Sequence, residues 1–299
     1  MRRVLIIAAL VVAAAALGMW RSHGSVRGGL SSALGISKDG EQGEVRDEIR
    51  KSFQLQPGAR VEVLGINGSV EIQTSDTTTA DVYVLRTANS QDALNGREII
   101  IEQTANGLVV RGQKSHNLGF FDRIFGHNPN EQVTIRAPRR IALALKGVNG
   151  RVTTGDIDGS LEVNGVNGRV ELGQVSDLAE ISGINGSVSV GFKQLDHFAR
   201  VSGINGNVEL RFASGANADL TARGMNGRVR SDAADITVDK DDRGSRYSAR
   251  IGNGGAPITI SGINGNVRLT RASGSGATSG DREDSGDSKS SKRELKGGV

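Results

Sequence analysis

One six-residue phrase recurs seven times in this chain: glycine, an apolar residue, asparagine, glycine, any residue, valine. It stands first as Gly65-Ile66-Asn67-Gly68-Ser69-Val70 and again from Gly147, Gly165, Gly183, Gly203, Gly224 and Gly262, so that successive starts are 82, 18, 18, 20, 21 and 38 residues apart. Units of that length cannot each hold a core, so they must stack and share one. The flanks alternate apolar and polar, as in Val170-Glu171-Leu172, Val188-Ser189-Val190 and Val208-Glu209-Leu210. A period of two is a strand with its aliphatic side chains on one face. Asn-Gly adopts positive φ at little cost, so each copy reads as a corner that turns the chain into the next strand. The fold expected is all-β, a β-solenoid resembling a parallel β-helix, with coils of about 18–21 residues and Asn-Gly corners. The spacing of 38 reads as two coils of 19, one with a degenerate corner. The spacing of 82 has room for four coils, but its middle breaks the pattern.

Equivalent residues of stacked coils lie about 4.8 Å apart. Asn67, Asn149, Asn167, Asn185, Asn205, Asn226 and Asn264 are therefore expected to form a structural ladder, each amide donating to one neighbour and accepting from another. Aspartate would repel its like at that spacing, which accounts for the choice of asparagine. Val175, Leu178, Ile181, Leu195, Phe198 and Val201 supply further core wall. Composition agrees: 42 glycines and ten aromatic residues in 299 suit turns and strands better than a helical core, and the absence of cysteine excludes a disulfide scaffold.

The Gly-Ile-Asn-Gly copies, with Arg250-Ile251-Gly252-Asn253-Gly254-Gly255-Ala256-Pro257-Ile258 before the last, resemble the putative adhesin family of bacterial envelope proteins, whose head is named for its G-I-N motif. The resemblance spans residues 45–271 and includes Ser52-Phe53-Gln54-Leu55-Gln56-Pro57-Gly58 and Val133-Thr134-Ile135-Arg136-Ala137-Pro138. It implies an exported β-helix-like domain. The family has no established catalytic residues, so none is carried over.

Outside the copies the chain divides by composition. Arg2 and Arg3 precede an apolar run from Val4 to Leu17, continued to Trp20, so residues 1–20 are expected to be an apolar helix serving as signal peptide or membrane anchor. The charge balance around the run puts the rest outside the cytoplasm, membrane-anchored, or secreted or periplasmic if the run is cleaved. Residues 21–44 read as a disordered linker and 272–299 as a disordered polar tail, leaving 45–271 for the adhesin-like domain.

Thirty-seven basic residues face 33 acidic ones. Without a dense cationic stripe, nucleic acid is not an expected partner. His23, His116, His127 and His197 have no neighbouring ligands with which to hold a metal, and Arg243 and Arg250 fall on ligand positions of the calcium-loop-like stretch from Asp239. No metal or cofactor is expected. A polysaccharide-cleaving β-helix is the enzymatic alternative, with Glu171 and Glu209 as outward carboxylates. Their row, however, is interrupted by Ser189 and continued by Arg230 and Arg268, beside a row of Arg151, Arg169 and Arg228, the pattern of a charge-laddered solvent face. The expected role is therefore non-enzymatic: a rigid surface for adhesion to a cell-wall or surface polysaccharide or a protein. The alternative is a structural envelope scaffold, which self-associates. Residues 112–132 interrupt the pattern and carry Phe120, Phe121 and Phe125, which read either as a cap over an open coil or as a binding patch.

Overall fold

The computed structural model describes residues 44–114, 129–241 and 246–272. The N-terminal apolar run, the linker up to residue 43, Phe120, Phe121 and Phe125, and the tail from 273 lie outside the described residues. Strand makes up 67% of the structure and helix 2%, so the class is all-β.

Strands and corners alternate along the chain. β1 (Val45–Gln54) precedes the first copy. β2 (Arg60–Leu64) then enters the corner at Gly65 and leaves it as β3 (Gly68–Ser75). The same passage joins β8 (Ala142–Lys146) to β9 (Val152–Thr154), β10 (Leu161–Asn167) to β11 (Val170–Val175) and β12 (Ala179–Asn185) to β13 (Val188–Phe192). It recurs from β14 (Ala199–Asn205) to β15 (Val208–Phe212), from β16 (Ala218–Asn226) to β17 (Val229–Ser231) and from β20 (Ala256–Asn264) to β21 (Val267–Arg271). The strand before each corner joins an eleven-stranded sheet and the strand after it a ten-stranded sheet, both mixed and neither closed. Neighbouring copies are parallel and in register, with Asn167 opposite Asn185 and Asn185 opposite Asn205. Across the corner Val170, Val188 and Val208 align.

One spacing resolves differently from the sequence expectation, and one that the sequence left open is filled. The 38 residues after Gly224 hold no degenerate coil. β17 leads instead into β18 (Ile236–Lys240) and β19 (Arg246–Ile251), an antiparallel hairpin laid along β16. The chain then returns, placing β20 between β14 and β16, and β21 between β15 and β17. The last copy in sequence is thus inside the sixth in space. The reason is apolar content. Ile260, Ile263, Val267 and Leu269 are buried on both sides, whereas the copy from Gly224 offers Ala222, a half-buried Met225 and Ser231 at the equivalent positions.

The 82-residue spacing, whose middle breaks the pattern, holds one parallel strand pair between the two copies. β6 (Gly107–Lys114) lies beside β2 and β7 (Asn130–Pro138) beside β3, with residues 115–129 in place of a Gly-x-Asn-Gly corner. β4 (Thr79–Ala88) runs antiparallel to β7, and β1 antiparallel to β4. A short helix, α1 (Gln91–Asn95), capped by the Ser90 hydroxyl, leads to β5 (Arg97–Thr104), antiparallel to β6.

Between the sheets lies one continuous aliphatic core. Its rows are nearly uniform: Ile66, Val148, Val166, Ile184, Ile204 and Ile263 form one, and each is buried. β-Branched side chains suit such rows because few rotamers are open to them and the pleat accepts those few. Phe192 and Phe212 stack with ring centroids 5.7 Å apart. Leu178 and Phe198, expected in the core wall, are only half-buried, and Phe198 lies beneath the Arg200 guanidinium at 5.6 Å.

Each corner needs both glycines, for different reasons. At the first, φ lies between +62° and +67°, where a Cβ meets its own backbone. At the second, packing decides: a Cβ on Gly186 would stand 2.1 Å from the carbonyl oxygen of Gly168, and one on Gly206 2.2 Å from that of Gly186. Gly215 is a control, since it has φ +79° but nothing within 4 Å of the place a Cβ would take. Gly215→Ala is expected to cost only the left-handed penalty, ~1–2 kcal/mol. Gly186→Ala, with φ +152° and a backbone clash, is expected to cost more than twice that and to lower the urea midpoint accordingly. Equal midpoints for the two variants would show that corner packing does not constrain the fold.

Candidate functional site

The seven corner asparagines are joined by side-chain hydrogen bonds. Asn226 Nδ2 donates to Asn264 Oδ1, Asn264 to Asn205, Asn205 to Asn185, each at 3.0 Å. Asn185 donates to Asn167 at 3.0 Å, Asn167 to Asn149 at 3.1 Å and Asn149 to Asn67 at 2.9 Å. All six bonds point the same way, so their dipoles add along the chain. Asn226, last but one in sequence, is the end member, because β20 lies inside β16. Six of the seven residues are exposed and Asn67 is half-buried, so water competes for every rung.

At its other end the ladder meets a buried ion pair that no sequence motif announces. Asn67 Nδ2 donates to the Pro129 carbonyl at 2.9 Å, and the Asn67 backbone N–H to Glu131 Oε2 at 2.7 Å. Glu131 is fully buried, aligned with Gly68 of the neighbouring corner, and receives Arg97 Nε at 2.5 Å. Arg97 Nη2 also donates to the Gly65 carbonyl. Both carboxylate oxygens are thereby satisfied, which a buried charge requires. This cluster ties the start of β7 to the corner at Gly65 and to β5. Nearby, Arg86 donates to Asp47 at 2.8 Å and to the carbonyls of Leu94 and Arg97.

A broad, shallow surface feature lies on the outer face of the ten-stranded sheet. Across successive strands its middle row reads Glu71, Thr153, Glu171, Ser189, Glu209, Arg268, Arg230, so hydroxyl and carboxylate alternate before two arginines. Arg268 adjoins Glu209 and Arg230 is last, the reverse of sequence order and for the same topological reason. The Ser189 hydroxyl donates to Glu209 Oε2 at 3.1 Å, and Arg169 Nη1 lies 3.5 Å from Glu171 Oε1. One row over, Gly173 and Gly191 leave the floor low, and Arg211 lies across it to donate to the Leu172 carbonyl at 2.7 Å. The result is a shallow trough of about 590 Å³, adjoining a second of about 800 Å³ that shares Glu209, Arg211 and Arg268. At the far end Arg271 donates to Asp235 and to the carbonyls of Ala213 and Ala216. Its hydrogen bonds hold the Asp235 carboxyl below the usual range.

The outer face of the other sheet carries ion pairs across its middle strands. Lys146 Nζ lies 2.6 Å from Glu162 Oε1, Arg60 3.3 Å from Glu162 Oε2 and Arg200 3.6 Å from Glu180. The Glu162 carboxyl is held low, first by its hydrogen bond from Lys146 and further by Arg60. Of the histidines, only His197 is described, paired with Asp177 at 2.5 Å. Among the described residues no group of three histidine or acidic side chains is placed to hold a metal, and no helix is long and apolar enough to cross a membrane.

No protein-family model matches the chain, and no curated protein matches it. Among solved structures it is similar to a putative cell adhesion protein from Clostridium sporogenes, at 10% identity and a TM-score of 0.39, over 76% of this chain and 100% of that one. It is also similar to a putative adhesin from Bacteroides fragilis, at 10% identity and 0.29, over 75% and 97%. A third is a putative lipid binding protein from Parabacteroides distasonis, at 10% identity and 0.25, over 76% and 97%. The first two carry the kind of name that the Gly-Ile-Asn-Gly resemblance leads to.

The ladder makes a pH-dependent prediction. In Asn185→Asp the new carboxylate still accepts from Asn205 but faces Asn167 Oδ1 with no proton to donate. At neutral pH this variant is expected to lose ~1–2 kcal/mol, against ~1 kcal/mol or less for Asn185→Ser, whose site water can fill. The folded state disfavours the charged form, so the introduced group's pKa is raised on folding. The shortfall is then absent below its unfolded value, ~3.9, and grows as pH rises through the folded one. Urea midpoints at acid and neutral pH measure it, and a gap between the variants that is the same at both would exclude the ladder as a stabilising element.

Proposed function

We propose that the chain is a two-sheet β-solenoid, exported from the cytoplasm, that acts without catalysis as an adhesion or surface-binding module. The outer face of its ten-stranded sheet is the contact surface. One observation carries this reading: that face presents an in-register row of alternating hydroxyl and carboxylate groups bordering a shallow trough. Groups about 4.8 Å apart on a backbone that cannot slip suit an extended polar partner, a surface polysaccharide or a peptide strand, lying across the strands. The apolar run at residues 4–20 supports export and either attachment to the membrane or release after cleavage.

Two other readings are weaker on the same observations. Hydrolysis of a glycan needs one carboxyl kept protonated by burial beside one that is ionised. Glu171 and Glu209 are both on an open face, with Arg169 and Ser189 as their respective partners. Self-assembly by stacking further copies in parallel register is opposed by the ends, where the outermost strands β1, β5 and β18 are antiparallel additions and β17 is a strand of three residues bearing Arg230.

The test is attachment of the full chain to isolated bacterial envelope material, measured by co-sedimentation. The double variant Glu171→Gln, Glu209→Gln, which removes both charges without setting a new arginine against Arg268, is expected to weaken attachment tenfold or more with a melting temperature changed little. Glu180→Arg, on the other face, should leave it unaltered. Equal attachment by all three proteins would remove the outer face of the ten-stranded sheet from the binding role.

A further inference from the structure

We propose that the Asn226-Gly227 step is a site of spontaneous covalent modification, deamidating through a cyclic imide, while the chemically equivalent steps at Asn167, Asn185, Asn205 and Asn264 are protected. The reaction needs no cofactor. The backbone nitrogen of Gly227, losing its proton, attacks Cγ of Asn226. A new N–C bond forms and the bond from Cγ to the side-chain nitrogen breaks, that nitrogen leaving as ammonia with the proton given up. Water then opens the imide to aspartate or isoaspartate. Attack requires a free backbone N–H, a side chain able to rotate onto it, and a glycine whose backbone can follow.

At the four corners of Asn167, Asn185, Asn205 and Asn264 all three are withheld. There the side chain both donates and accepts. The following glycine nitrogens are also engaged: Gly168 donates to the Asn185 carbonyl, Gly186 to Asn205, Gly206 to Asn264 and Gly265 to Asn226, at 3.0–3.1 Å. Each of these glycines is half-buried and held at φ +152° to +155°. Gly227 ends the stack, with no further corner to receive its N–H. It alone among the second glycines of the seven corners is exposed, and it lacks the positive φ of the others. The Asn226 amide donates to Asn264, but its Oδ1 receives nothing. Reaction at Asn226 thus breaks two fewer hydrogen bonds than reaction at an interior corner. The product places a negative charge beside Arg228 at the end of the stack and leaves the interior rungs whole.

The full chain, incubated in mildly alkaline buffer, digested and mapped by mass spectrometry with enzymatic labelling of isoaspartate, gives the rate at each corner. Asn226 is expected to convert at least tenfold faster than Asn167, Asn185, Asn205 or Asn264, the ratio that ~1.4 kcal/mol of barrier gives. A ratio below tenfold overturns the proposal. The same incubation in concentrated urea separates fold from local sequence. The rates should then converge, and a preference for Asn226 that persists in the unfolded chain overturns the proposal equally.

Discussion

Everything regular in this protein depends on the contact between the second glycine of one corner and the carbonyl oxygen of the equivalent glycine next to it. No side chain fits there: the distance left for a Cβ is 2.0–2.2 Å at every corner from Gly150 to Gly265. Because the backbones touch, the strands leaving adjacent corners start level, and valine meets valine and asparagine meets asparagine. Burial of those valines and isoleucines carries the stability, at ~1.5–3 kcal/mol for each large side chain fully removed from water. Six exposed amide bonds at ~1 kcal/mol or less contribute far less. What the glycines and amides contribute is register. A slip of two residues would keep every aliphatic side chain inward, so the core alone does not forbid it. Such a slip would break every rung and drive side chains into the corner carbonyls.

The same uniformity explains what could be read from the sequence and what could not. The corners, the strands flanking them, the inward rows and the asparagine positions are all legible from Gly-x-Asn-Gly-x-Val and its period-two flanks. The order of the copies is not, because pairing rests on a pattern that all copies share: β14 can accept β20 or β16 on the same terms at Asn205, Ile204 and Val201. The choice falls to apolar quality, and here a signal existed. Ser231 stands where five of the other copies have isoleucine, leucine or valine, and Ala222 where they have valine, leucine or isoleucine. A copy with those residues loses least at an end, where only one side is covered. Arg97 and Glu131 offered no such signal, since each is an ordinary charged residue until the fold buries them together.

The two outer faces show how similar compositions give different surfaces. On the eleven-stranded sheet Glu162 and Glu180 stand directly opposite each other, and each is neutralised from its other side, Glu162 by Lys146 and Glu180 by Arg200. On the ten-stranded sheet a hydroxyl stands between successive carboxylates, so Glu71, Glu171 and Glu209 are two strands apart and none has an arginine directly opposite on the strand before it. The glycines at 173 and 191 lower the floor next to this row for a reason unconnected with ligands, since a Cβ on Gly173 would stand 2.4 Å from the Gly155 backbone. A packing requirement of the strands thus makes the trough that the polar row borders.

A stack of like units has no internal reason to stop, and an unfinished parallel edge is a template for another chain. This protein stops its stack by changing strand direction. At one end β4 and β1 run antiparallel on the ten-stranded sheet and β5 on the other, and Lys51 of β1 reaches the Ile101 carbonyl of β5. At the other end β19 and β18 turn back along β16, with Ile236, Tyr247, Ala249 and Ile251 buried, and the Tyr247 hydroxyl meets the Gly227 carbonyl at 3.4 Å. That hairpin occupies the residues between the sixth and seventh copies in sequence, so forming it obliges the last copy to come back inside. Termination and the exchanged order of the copies are then one feature of the topology: the hairpin covers the outer edge of β16, and the final copy lies inside it as an interior strand pair.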